Sequence, residues 1–155
     1  MDEQPTVQDG FRGALTQLAR LLRFYSRLPV PTLPRETDPH ALPDFARGVW
    51  LLPFAGAIIG CVGAGVFALA SAAGLGPTIA AILAISALVI TTGAFHEDGL
   101  ADTADGLWGG STPERRLEIM KDSRIGTYGG AALALSLMLR VAAVAALGAK
   151  AGTVS

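Results

Sequence analysis

The sequence predicts an all-α, polytopic helical membrane protein, and three observations carry that prediction. No Asp, Glu, Lys, Arg or His occurs from position 48 to position 95, a run of 48 residues, whereas about 20 apolar residues suffice to cross a bilayer. Half of the chain is hydrophobic (51%) and its mean hydropathy is +0.47. A chain of 155 residues is expected to form one domain, too small to cover two uncharged helices on every side. Helices follow because backbone polar groups in lipid must be satisfied within each segment.

The amino terminus, MDEQPTVQDG, is acidic and polar and is expected to be disordered or peripheral. No short apolar core with a cleavage site follows it, so no signal peptide is expected. Over residues 11–28, Phe11, Leu15, Leu18, Leu22 and Tyr25 fall on one side and Arg20, Arg23 and Arg27 on the other. That pattern predicts a basic amphipathic helix in the headgroup plane, with packing against another part of the protein as the alternative. Pro29, Pro31 and Pro34 end it. Residues 32–47 lack apolar periodicity and read as a connector, with a short helical turn near 43–47 and with His40 as a solvated loop residue. Residues 1–47 thus form a polar segment bearing an interfacial helix, and residues 48–155 form a transmembrane domain with an acidic loop at 96–129.

The first span is predicted over 48–73, with Pro53 as a kink. Gly56, Gly60 and Ala64 make a small-residue step that suits close approach of another helix and leaves a homo-oligomer open. Cys61, the single cysteine, is expected to be a small packing residue there. Residues 74–77 form a short turn, and Pro77 opens a second span reaching to about 95, so the two spans form an antiparallel hairpin. Six arginines precede the hairpin, and Arg115, Arg116, Lys121 and Arg124 follow it, while its turn carries no charge. The positive-inside rule then places the amino terminus and the acidic loop in the cytoplasm. Ser111 or Thr112 is expected to cap a helix over 113–121 with Pro113 at its first position. A third span, 130–147, contains Arg140, which at that depth must face the bundle interior or snorkel; a carboxylate or a substrate phosphate is a fitting partner.

Function centres on residues 96–110, HEDGLADTADGLWGG, which put four carboxylates into nine positions. If this segment continues the preceding helix, Asp98, Asp102 and Asp105 share one face, and three like charges on one stripe call for a cation. Oxygen donors without a nearby thiolate favour Mg²⁺ or Mn²⁺. A solvated helix face or a set of loop caps is the alternative. Glu97 points away from the stripe, His96 is expected to be an interfacial or hydrogen-bonding residue, and Asp122 either joins the metal or pairs with Arg124. Transport would place acidic groups within the spans, where none occurs. Phosphoryl transfer fits better, with metal bridging a pyrophosphate. Gly99, Gly106, Gly109 and Gly110 would admit phosphates close to the backbone, and Lys121 and Arg124 would supply matching cations. The balance of 12 basic and 13 acidic residues, net charge −1, provides no field to recruit nucleic acid.

HEDGLADTADGLWGG followed by RLEIMKDSRIGTYGG, with RFYSRLPVP and ARGVWLLPFAGAIIG before them, resembles the cobalamin synthase, or adenosylcobinamide-GDP ribazoletransferase, family over most of residues 18–139. The resemblance implies the last step of cobalamin nucleotide-loop assembly at the bacterial cytoplasmic (inner) membrane: α-ribazole or its 5′-phosphate joins adenosylcobinamide-GDP and GMP is released, with Mg²⁺. It carries the acidic motif onto Glu97, Asp98, Asp102 and Asp105 and the downstream motif onto Lys121, Asp122, Ser123 and Arg124. Metal binding is expected of these five carboxylates, foremost Asp98, Asp102 and Asp105, and substrate binding of Lys121, Ser123 and Arg124. Asp102 and Asp105 are the candidates for the catalytic base. A weaker likeness to CDP-alcohol phosphotransferases departs at position 102, where Asp follows Ala101 in place of the Arg of DGxxAR and the spacing is one residue shorter. A noncatalytic membrane subunit or transporter component is the alternative of another class. Members of the family continue with further apolar spans, so this chain is expected to be a fragment or a truncated form.

Overall fold

The computed structural model describes residues 7–34, 36 and 38–152. The described residues form helices without a strand, joined by short connections apart from the long connector of residues 26–44 between the first two. They are α1 (Val7–Tyr25), α2 (Phe45–Gly48), a 3₁₀ turn (Val49–Leu51), α3 (Leu52–Ala72), α4 (Pro77–Thr92), α5 (Phe95–Gly109), α6 (Pro113–Met120) and α7 (Thr127–Gly152). Helices α3 and α4 form the antiparallel hairpin, α7 packs along α4 and α5, and α6 lies on α5.

The buried faces of the hairpin consist mostly of small residues, Ala55, Gly63 and Ala70 on α3 and Ala80, Ala81 and Ala84 on α4. Their large apolar neighbours point outward: Phe54, Ile58, Leu69, Ile79 and Ile90 are exposed, as are Leu135, Met138 and Leu139 on α7. In water such a surface would be destabilising, whereas lipid solvates it and leaves close packing of small residues to hold the helices together. The runs Phe45–Ala72 and Thr127–Lys150 are long and apolar enough to cross a membrane, and α4 with α5 supplies a third span only as a pair bent by 87°.

Several expectations change in detail. The expected disorder of residues 1–10 falls partly outside the described residues, and from Val7 the chain is already helical. The carboxyl-terminal part of α1 does not lie free in the headgroups: Leu21 and Leu22 are buried against Leu51, Ala55 and Ile59, while Phe11 (65% exposed) and Leu15 face outward. Arg23 turns onto the connector instead of toward lipid. It forms a two-pronged pair with Glu36 (Nη1–Oε1 2.8 Å, Nη2–Oε2 2.9 Å) and donates to the carbonyls of Val30, Pro31 and Pro39. Glu36 also accepts from the Leu33 backbone N–H, and its side chain has no exposed surface. Hydrogen bonding from Arg23 holds this carboxyl down at about 2. Asp44 caps α2 through the Arg47 N–H, so the boundary expected at 47/48 falls inside a helix.

Pro53 does not kink a span; it occupies the first turn of α3, where its missing N–H costs nothing. The expected step at Gly56, Gly60 and Ala64 is not the packing contact either, since a side chain at Gly56 or Gly60 would meet open space. The close approach is one turn on, at Gly63, against which Leu88 is packed. Cys61 is likewise exposed rather than packed.

Candidate active site

The acidic segment does not continue α4. Gly93 (φ 65°) and Ala94 (φ 59°) are both left-handed, and the chain turns there by 87° into a separate helix, α5. Glycine adopts that conformation without strain; Ala94 does so at a cost of about 1 kcal/mol. Arg27 braces the bend: its N–H donates to the Thr91 carbonyl at 2.7 Å, and its guanidinium crosses Gly93 where any side chain would collide. Aromatic contacts secure the start of α5, with Phe95 edge-on to Phe24 and Tyr25 and His96 stacked on Tyr25 at 5.8 Å.

Helix α5 divides its carboxylates between two tasks. Asp98 is exposed and Asp102 half-buried, whereas Glu97 and Asp105 are each only 8% exposed. Asp105, expected beside Asp98 and Asp102 on a metal-binding stripe, turns instead into the amino terminus of α7. Its Oδ2 accepts from Gly126 N–H at 2.7 Å and its Oδ1 from Gly129 N–H at 2.9 Å, so it caps a helix remote in sequence and complements the positive end of that helix. The carboxylate lies so close that a side chain at Gly126 or Gly129 would collide with it. Gly106 and Gly110, expected to admit phosphates, are likewise filled by Met120 and Arg116 of α6. Thr112, rather than Ser111, caps α6 by accepting from Arg115 N–H at 3.3 Å. These contacts fix residues 121–126 over the exposed edge of α5.

Glu97 was expected to point away and does not. It faces α7 and pairs with Arg140, Oε1 to Nη1 at 2.6 Å, while its Oε2 is buried with no hydrogen-bond partner.

Between α5 and the 121–126 segment lies a cavity of about 500 Å³. Glu97, Asp98 and Asp102 form one wall, Lys121, Asp122, Ser123 and Arg124 the other, and Met120, Ile125 and Leu133 add apolar surface. The two sequence motifs therefore meet across one space, of a size suited to a small ligand. A second cavity of about 320 Å³, bordered by Asp105, Arg115 and Tyr128, shares Asp122 and Arg124 with the first. Asp122 accepts from Arg124 Nη2 at 2.7 Å and from its backbone N–H at 3.1 Å. These bonds, the side-chain one foremost, hold the Asp122 carboxyl down at about 2.

The cavity lining includes four carboxylates against two cations. A pyrophosphate entering it meets net repulsion unless positive charge enters with it. The donors are all oxygen, and the bare Oε2 of Glu97 is an acceptor in need of a partner, chemistry that suits Mg²⁺. Among the described residues no three His, Cys, Asp or Glu side chains converge enough to hold a metal by themselves.

A sequence profile described as cobalamin-5-phosphate synthase matches residues 17–154. The chain belongs to the cobalamin-5-phosphate synthase family. Relatives named adenosylcobinamide-GDP ribazoletransferase include those of Xanthobacter autotrophicus (58% identical, covering 87% of this chain and 51% of the relative), Azorhizobium caulinodans (56%, 83% and 48%) and Bradyrhizobium diazoefficiens (50%, 88% and 51%). The chain spans about half the length of these curated relatives. No solved structure matches it significantly. Every residue lining the larger cavity lies within the part matched to the cobalamin-5-phosphate synthase family. The sequence reading held capping, and a carboxylate partner for Arg140, only as alternatives; the structure gives the first role to Asp105 and the second to Glu97. The signals were there in the Gly126/Gly129 spacing and in a lone arginine within an apolar run, which needs an acid.

Proposed function

We propose that this chain carries the phosphoryl-transfer site of an adenosylcobinamide-GDP ribazoletransferase. A ribose hydroxyl oxygen of α-ribazole, or of its 5′-phosphate, bonds to the phosphorus attached to adenosylcobinamide. The bond from that phosphorus to the GMP oxygen breaks, GMP leaves, and the hydroxyl proton passes to a carboxylate. The observation that carries this reading is the meeting of Asp98 and Asp102 with Lys121, Ser123 and Arg124 across one cavity, in a chain whose relatives bear that enzyme name.

Asp102 is the favoured proton acceptor, because it borders the cavity while both oxygens of Asp105 are engaged by backbone N–H groups. Asp98, Asp102 and Glu97 would hold Mg²⁺, which when bound offsets charge on the pyrophosphate and on the leaving oxygen. Lys121, Ser123 and Arg124 orient the phosphates, Arg124 from an exposed position steadied by Asp122. The charge distribution supports a bacterial inner membrane placement with this cavity on the cytoplasmic side.

The test supplies purified protein in detergent with adenosylcobinamide-GDP, α-ribazole and Mg²⁺ and follows GMP and cobalamin. Asp98→Asn and Asp102→Asn are expected to lower turnover by at least about 100-fold while leaving the thermal melt unchanged. Turnover retained in both variants would remove the carboxylates from the chemistry and favour a noncatalytic role.

A further inference from the structure

Arg140 lies 13 residues into α7, about 20 Å along its axis, within a run long and apolar enough to span the membrane. A charge at that depth requires a partner and as a rule marks a functional site. Its partner is Glu97, but the pairing is incomplete. Arginine can engage both oxygens of a carboxylate through parallel N–H groups, as Arg23 does with Glu36. Arg140 contacts only Oε1. Oε2 remains buried, unpartnered and on a side chain that lines the cavity. A purely structural ion pair would be expected to close on both oxygens, because a buried acceptor left bare is unfavourable.

We propose that Arg140 is a positioning residue: it holds one oxygen of Glu97 against α7 and thereby leaves the other without a protein partner at the cavity wall, as a donor to the divalent cation that accompanies the pyrophosphate. The inference rests on the cation-assisted transfer proposed above and adds a residue outside both acidic and basic motifs. Arg140 acts on the ion only through Glu97. It orients the carboxylate and balances its charge between packed helices, as outer-shell partners do in other metal sites.

Mn²⁺ with GDP is the probe, measured by electron paramagnetic resonance on the full chain in detergent. Arg140→Met and Glu97→Gln are each expected to weaken Mn²⁺ binding about tenfold, and Arg140→Lys to recover most of that loss. The double variant Glu97→Gln/Arg140→Met should bind no more weakly than Glu97→Gln alone, an outcome that a general loosening of the fold would not give. Wild-type affinity in a folded Arg140→Met protein, or additive losses in the double variant, overturns the proposal. Where Arg140→Met does not fold, Glu97→Asp decides: it keeps the charge but shortens the reach to the cavity, so a tenfold loss supports the proposal and unchanged affinity overturns it. Asp98→Asn separates the two levels. If it weakens Mn²⁺ binding while the Arg140 variants do not, only the role of Arg140 fails; if neither Asp98→Asn nor Glu97→Gln has an effect, the metal reading fails with it.

Discussion

Replacing Asp105 separates a helix-capping carboxylate from a metal ligand. Its two oxygens accept from Gly126 and Gly129 at 2.7 and 2.9 Å in a buried setting, and hydrogen bonds to a charged group contribute about 1.5–3 kcal/mol each. Asp105→Ala leaves the buried Gly129 N–H and the part-buried Gly126 N–H at the start of α7 without acceptors, so a loss of about 2–4 kcal/mol is expected, reduced to the extent that water reaches Gly126. Asp105→Asn keeps one carbonyl acceptor but turns an NH₂ group toward the other N–H, at a cost of about 2 kcal/mol. The assay is denaturation in detergent without added divalent cation, where a metal ligand would have no effect or would stabilise when neutralised by relieving repulsion with Asp102. Destabilisation of the same size with and without Mg²⁺ is therefore the signature of the cap. An Asp105→Asn protein that melts with wild type in chelator and departs from it only in Mg²⁺ would refute the reasoning.

Gly129→Ala should cost about 1–3 kcal/mol by overpacking against the Asp105 carboxylate and the Ala101 carbonyl, whereas Gly130→Ala, which points into open space, should raise stability by up to about 1 kcal/mol; paired melts check both. Glu36 titrates at 4.5 when unperturbed and at about 2 in the fold, so its contribution is fully present above pH 4.5 and is lost as pH falls through about 2. Glu36→Gln should flatten that part of the stability-against-pH curve and cost about 2–3 kcal/mol at neutral pH.

What the sequence made legible depended on how local the cause was. The charge-free run exposes the hairpin because lipid excludes charge wherever the chain then goes, and Thr112-Pro113 marks the start of α6 because capping involves only adjacent residues. The bend after Thr92 was hidden: Gly93 is the one local hint, and the second left-handed residue is an alanine secured by Arg27 and the aromatic cluster. Periodicity in α1 revealed an apolar face but not what covers it, so Leu21 and Leu22 packing on α3 and Arg23 clamping Glu36 came only with the third dimension. For the site, Asp98 and Asp102 with Lys121 and Arg124 were found as motifs, and the cavity joins them. Asp105 sits on the same helix at matching spacing, yet a helix 24 residues downstream claims it, a contact that α5 alone cannot reveal.

The bend at Gly93 and Ala94 also limits how thick a membrane this chain can match. Helix α4 has 16 residues and rises roughly 24 Å, about 6 Å less than an average hydrocarbon layer. In an ordinary bilayer the elbow is recessed beneath the headgroups or the nearby leaflet is pinched around it, and both arrangements carry a modest elastic penalty. Lipids with shorter acyl chains relieve that mismatch, which makes bilayer thickness a determinant of how comfortably the hairpin is seated.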